Sequence, residues 1–106
     1  MLLAGLVLGV QGAVGSTYNF AAPIYHRLIA AWEKDDLATA RWEQFRTVKL
    51  VGALAPLGYM GASKAVMGLL GVNVGPARLP NDNPDKATTR ALQRKLEQMG
   101  FFEWIQ

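Results

Sequence analysis

One segment of this 106-residue chain, Gly12-Ala13-Val14-Gly15-Ser16, reads as a β-strand, and the sequence offers it no second strand to pair with. Nothing after it alternates at period two with β-branched enrichment, so its backbone donors and acceptors look for partners outside the sequence. Its apolar residues leave no wet face, which is how strands read in parallel sheets covered on both sides. Gly12 and Gly15 let backbone approach a ligand closely, and the segment runs into the polar cluster Ser16-Thr17-Tyr18-Asn19.

Everything around that segment reads as helix, so the expected fold is mainly α, with about four helices and one short strand. Met1 to Leu8 reads as the end of a buried helix stopped by Gly9. Pro23 suits a first helical turn, with Ile24, Leu28 and Trp32 following at spacings of four. Lys34-Asp35-Asp36 is a break after which Asp35 or Asp36 caps a longer helix. Its apolar stripe is predicted as Leu37, Ala40, Gln44 or Phe45, Val48, Val51 or Gly52, and Leu54 or Ala55, ending or kinking at Pro56 and Gly58. A further helix over 62–70 lies between Gly61 and Gly71. Pro76 and Pro80 hold residues 72–80 as an extended connector. Asp82 or Asn83 is the expected cap of the last helix, which has Pro84 at its start, Leu92 and Leu96 on its apolar edge and Gly100 as its stop. Phe101, Phe102, Trp104 and Ile105 then form an aromatic tail that should dock.

Charge and composition narrow the function classes. Eleven Lys and Arg against eight Asp and Glu leave a net charge of +3. The basic residues are interleaved with acids, as on solvated helix faces, and no basic stripe marks a nucleic-acid partner. The chain has no cysteine, which excludes disulfides, thiolate catalysis and cysteine-based metal sites and suits a reducing cytoplasm. No charged residue precedes Arg27, yet Met1 to Leu8 lacks the basic flank of a signal peptide. A membrane span over this region is interrupted by Gly5, Gly9, Gly12 and Gly15 and by polar Gln11, Ser16, Thr17 and Asn19, so no membrane partner is expected.

Few side chains invite chemistry. His26 is the sole histidine and has no carboxylate three or four residues away, so it reads as structural and no metal site is expected. Lys64, among Ala62, Ser63, Ala65 and Val66, has the apolar setting of an amine nucleophile, but a lysine near a helix start usually extends its stem to solvent; Lys49 reads the same way. Arg78, mounted between Pro76 and Pro80, can grip a carboxylate, with Asp82 or helix carbonyls as its nearer expected partners. Trp32, Trp42 and Trp104 can stack on sugars or cover a core or interface. Ser16 and Thr17 follow the strand-like segment, where they either bond substrate hydroxyls or cap the next turn.

Gly12 to Asn19 resembles the eighth barrel strand of the sialic acid aldolases. Lys64-Ala65-Val66-Met67 and Val74-Gly75-Pro76-Ala77-Arg78-Leu79-Pro80 resemble that family's C-terminal helices and tail. Arg78-Leu79-Pro80 alone marks the wider dihydrodipicolinate synthase and N-acetylneuraminate lyase superfamily, while Gly15-Ser16-Thr17-Tyr18-Asn19 favours the sialic acid branch. The resemblance implies an incomplete, C-terminal portion of a (β/α)8 barrel, a fold that typically takes about 250 residues. Residues 1–34 would be the end of helix seven, strand eight and helix eight, and residues 35–106 a helical extension.

The activity implied is reversible cleavage of N-acetylneuraminate to pyruvate and N-acetylmannosamine, through an imine on a barrel-strand lysine with a tyrosine aiding proton transfer. No metal or diffusible cofactor is implied, and the complete enzyme would be a cytoplasmic homotetramer acting on a small sugar acid. Ser16 would contact sugar hydroxyls, Gly15 and Thr17 would shape the pocket wall, and a Tyr59-Met60 loop would close one side. The imine lysine, its tyrosine and the family's carboxylate-binding Gly-Ser-Thr segment belong to strands without counterpart here, so no catalytic residue is assigned and the chain alone is expected to be inactive. The alternatives are another pyruvate-dependent aldolase of the superfamily, and a small helical interaction or membrane-associated protein.

Overall fold

A computed structural model describes residues 1–106. It contains six α-helices and no strand: α1 (Leu2–Val7), α2 (Tyr18–Glu33), α3 (Leu37–Leu54), α4 (Tyr59–Leu69), α5 (Lys86–Gln98) and α6 (Phe101–Trp104), with a 3-10 turn at Ala55–Leu57. The mainly helical expectation holds. The strand-like residues 12–15 carry no regular hydrogen-bonded structure, and Val14 is fully exposed. Strand is a property of a pair, and no second extended segment lies beside this one.

Three helices close with the same double hydrogen bond, in which the two residues past the cap reach back to carbonyls of the last turn. At α1, Val10 N–H bonds Gly5 C=O and Gly9 N–H bonds Leu6 C=O; at α4, Val72 bonds Met67 and Gly71 bonds Gly68. At α2 the left-handed position falls to Asp35, with φ +57°, and Asp36 N–H bonds Ala31 C=O at 2.9 Å. Asp36 then opens α3, its carboxylate accepting from Thr39 N–H at 3.0 Å. Two consecutive aspartates therefore end one helix and begin the next.

α2 is bent near its start. Ala21 has φ −133° and ψ +21°, and Pro23 follows within the helix. Proline lacks the N–H for the bond to residue 19 and its ring crowds that carbonyl, so the regular helix begins at about the place Pro23 marks. At the last long helix the cap is Asp85, which accepts from Thr88 N–H at 2.7 Å, rather than Asp82 or Asn83. The Asn83 amide is spent on Ala77, donating to its C=O at 3.0 Å and accepting from its N–H at 2.8 Å.

The chain divides into two compact units, the first being Met1–Lys49 with Trp104–Gln106 and the second Leu50–Glu103, with the division falling inside α3. In the first unit α1 packs on α2, whose Phe20, Ala21, Ile24 and Leu28 are buried. The second unit is built on Leu50, Leu54, Val66, Leu92, Leu96 and Phe101, all 2% exposed or less. Each such side chain contributes roughly 1.5–3 kcal/mol by leaving water. There α4 comes close to the chain before α5: a Cβ on Gly61 would lie 2.2 Å from the Asp82 carbonyl oxygen. Only glycine permits that approach.

The predicted stripe of α3 needs correction. Ala40 and Leu54 are buried as expected, but Leu37, Phe45, Val48 and Val51 face out, and the inward face of the helix also carries Glu43 and Thr47. Polar groups can sit there because each is bonded. Glu43 is held by two arginines, Thr47 Oγ1 donates to Gln44 C=O at 2.7 Å, and Gln44 Oε1 accepts from Leu3 N–H at 2.9 Å. The aromatic tail docks as expected: Phe101 is fully buried, and Arg27 donates to the Trp104 carbonyl at 2.5 Å.

Candidate functional site

The polar turn between residues 15 and 19 leads straight into α2. Tyr18 N–H bonds Gly15 C=O at 3.1 Å, Ala21 N–H bonds Thr17 C=O at 2.9 Å, and the Asn19 amide donates to Ser16 C=O at 3.0 Å. These short loops fix the turn without a strand beneath it. Ser16 is exposed on its outside. Gly15 lies against the Tyr18 ring, where a Cβ would sit 3.2 Å from the nearest ring carbon. Thr17 turns inward, 6% exposed, with Oγ1 2.5 Å from the Tyr25 hydroxyl. Tyr18 and Tyr25 meet edge to face with centroids 4.3 Å apart.

Gly15, Ser16 and Thr17 are thus brought together, with Ser16 the one that presents its side chain outward. The Thr17 hydroxyl is committed to Tyr25, a partnership the sequence reading missed. Its only signal is a spacing of eight residues, about two helical turns, and the bend at Ala21 obscures that phase.

Beside this turn, within the first unit, a groove of about 440 Å³ runs between α1 and α2. Leu2, Leu6, Val10, Ile29 and Trp32 give it apolar walls, while Gln11, Tyr18, Tyr25, His26 and Glu33 supply polar groups. Such a groove can hold an apolar segment or the ring of a small molecule and orient it by a few hydrogen bonds. No lysine lines it, so it offers no amine for imine chemistry.

The other candidates separate. Tyr59 and Met60 form the first turn of α4 in the second unit, so they are helix rather than the expected loop. Lys64, on α4, donates to Val74 C=O at 3.3 Å, a tether for the connector. Arg78 makes no ion pair with Asp82; its carbonyl instead receives both Asn81 donors at 3.0–3.1 Å. His26 is exposed at the groove margin. No three His, Asp or Glu side chains converge in a way that would hold a metal ion. No single helix is long and apolar enough to cross a membrane, although Leu37–Leu57 with Tyr59–Leu69, bent by 113°, passes that test as a pair on length and composition.

Relatives agree on one family. Residues 1–99 match the model of the dihydrodipicolinate synthetase family. The chain is 37% identical over 105 residues to N-acetylneuraminate lyase of Rattus norvegicus, covering 97% of this chain and 33% of the relative. It is 38% identical over 98 residues to the lyase of Gallus gallus, covering 91% and 32%. Among solved structures it resembles Proteus mirabilis N-acetylneuraminate lyase, with TM-score 0.87 and 31% identity over 94% of this chain and 34% of the other. The sialic acid aldolase of Aliivibrio salmonicida matches with the same TM-score and identity, over 94% and 33%. The chain therefore spans about a third of the length of the relatives it matches. By sequence and by fold, this chain belongs to the dihydrodipicolinate synthetase family.

Proposed function

We propose that the chain forms the eighth-strand and C-terminal part of a Schiff-base aldolase barrel that cleaves N-acetylneuraminate to pyruvate and N-acetylmannosamine. The observation that carries this reading is the superposition of 94% of the chain on Proteus mirabilis N-acetylneuraminate lyase at TM-score 0.87, while residues 12–15 are left without a strand to pair with. Barrel enzymes place ligand groups on the loops at the C-terminal ends of their strands, and the Gly15–Asn19 turn has that position in this reading.

The chain's own part is to bind and orient. Ser16 hydrogen-bonds hydroxyls of the sugar portion. Gly15 keeps the wall thin beside the Tyr18 ring, and Thr17 holds the Tyr25 hydroxyl in one direction. The amine comes from a strand outside the aligned third: it condenses with the keto carbon, releasing water, and the protonated imine accepts the electron pair of the breaking carbon–carbon bond. Holding the sugar in one pose raises the rate of that step. By the same resemblance the assembled enzyme is cytoplasmic and homotetrameric.

The test is a chimera in which this chain replaces the matching third of Proteus mirabilis N-acetylneuraminate lyase. The chimera is expected to split N-acetylneuraminate. Ser16→Ala should raise KM about tenfold, the worth of one lost hydrogen bond, with less change in kcat. The 106-residue chain alone, treated with pyruvate and borohydride, should gain no covalent mass. A folded chimera that traps pyruvate but cleaves only a different sugar acid would replace this reading with another aldolase of the superfamily.

A further inference from the structure

The Gly15–Asn19 turn is held from one side only. Residues 11–14 run into it exposed and outside any helix. On the other side α2 is bent at Ala21, and Pro23 has no N–H to offer the Asn19 carbonyl. The backbone ladder that ordinarily stiffens the start of a helix is therefore interrupted between the turn and the regular part of α2. Side chains span the gap.

One residue supplies that link. Tyr25 stands beyond the bend, buried, and is joined to both neighbours of Ser16. Its hydroxyl lies 2.5 Å from Thr17 Oγ1, so the two share a hydrogen bond. Its ring meets Tyr18 edge to face with centroids 4.3 Å apart, and the Tyr18 ring in turn lies against Gly15, where a Cβ would sit 3.2 Å away. Exposed Ser16 is thus flanked by two residues held, one directly and one through Tyr18, by a single buried side chain. With Thr17 and Tyr25 both out of water, their bond is stronger than an exposed one and holds a direction as well as a distance.

We infer that Tyr25 is a positioning residue for the sugar-binding turn: through Thr17 it holds the Ser16 hydroxyl where a hydroxyl of the substrate meets it, and it touches no reacting atom itself. The inference rests on the aldolase reading and adds to it the group that sets the direction of Ser16. A turn free to swing would still let Ser16 bond the sugar, but only once its backbone had been ordered; a turn fixed beforehand binds without that loss of entropy. The effect falls on binding rather than on bond breaking, because Ser16 bonds the sugar before and during cleavage alike. Tyr25 has no other route to the substrate, so its contribution is bounded by that of Ser16.

The test uses the chimera with Proteus mirabilis N-acetylneuraminate lyase. Tyr25→Phe removes the hydroxyl and keeps the ring against Tyr18; it should raise KM for N-acetylneuraminate about fivefold, with kcat little changed. Borohydride trapping of pyruvate should proceed as in the parent chimera, which shows that the barrel is intact. Thr17→Val, nearly equal in shape but without the hydroxyl, should match Tyr25→Phe, while Thr17→Ser should keep KM within about twofold of the parent. The variant carrying both Thr17→Val and Tyr25→Phe should be no worse than either alone, the signature of one shared bond. The decisive background is Ser16→Ala, in which Tyr25→Phe should raise KM no further; a general loosening of structure would add there as it does in the parent. A chimera that traps pyruvate but splits no N-acetylneuraminate overturns the aldolase reading and this inference together. A chimera that splits it, and whose Tyr25→Phe form keeps the parent's KM or shows the same rise in the Ser16→Ala background, overturns this inference alone.

Discussion

The two units reach order by different means. The second is dry, with Leu50, Leu54, Val66, Leu92, Leu96 and Phe101 closed over one another and Gly61 allowing the chain at Asp82 to come within reach of α4. The first is tied by polar contacts: Arg27 and Arg46 on Glu43, Thr17 on Tyr25, Leu3 N–H on Gln44. It also leaves Val10 and Val14 in water beside an open groove. Both units leave large apolar side chains in water, Leu79 and Val72 in the second as Val14 in the first, so what separates them is how the interior is held: by apolar burial in one, and by apolar burial joined to paired polar groups in the other.

That contrast can be broken first in the dry unit. Gly61→Ala sets a methyl against backbone at Asp82 and Asn83, which cannot swing aside as a side chain would, so it should cost about 3 kcal/mol in urea unfolding. A cost near zero would mean the approach of α4 to that segment is loose. In the polar unit, Glu43→Ala leaves Arg27 and Arg46 without their shared carboxylate. The loss is expected near 2 kcal/mol, below that of a fully buried pair because the two arginine side chains are 36% and 24% exposed. High salt should leave the Gly61→Ala penalty unchanged and shrink the Glu43→Ala one, which sharpens the distinction.

The smallest expected effect is on pH dependence. Thr39 bonds to Asp36 through its side chain and then its backbone N–H, and Thr88 bonds to Asp85 chiefly through its backbone N–H. Both carboxyls are thereby held below the ordinary aspartate value of 3.8. A carboxyl lowered in the folded state stabilises it above that value and loses the contribution as pH falls through the folded pKa. Helix content should therefore decline at the starts of α3 and α5 only in acid below that range. Asp36→Asn and Asp85→Asn, which cap without titrating, should flatten the decline.

Much of the helical layout was legible in the sequence because Gly9, Pro23, Gly58, Gly71 and Gly100 act locally. What glycine and proline do to the chain depends on φ and a missing N–H, and both are written in the residue itself. The caps of the last helix were harder. Asp82, Asn83 and Asp85 are all competent, and the choice is made by Ala77, which engages Asn83 from six residues away. The inward face of α3 was harder still, because Glu43 reads as part of a solvated charged face until Arg27 and Arg46 arrive to bond it. At the candidate site the turn was visible as small and polar residues after an apolar run. The inward rotation of Thr17 was not, since it depends on Tyr25 beyond a bend.

Arg27 reaches across the sequence to the carbonyl of Trp104, so the first unit counts residues from both ends of the chain among its own. During synthesis on a ribosome, α1, α2 and the first half of α3 emerge early but lack that anchor until the whole of residues 50–103 has followed. The dry unit has its full complement of residues first, and the earlier-made portion waits. A nascent chain arrested at Glu103 therefore lacks the anchor, and extending it through Gln106 should add protection around α2.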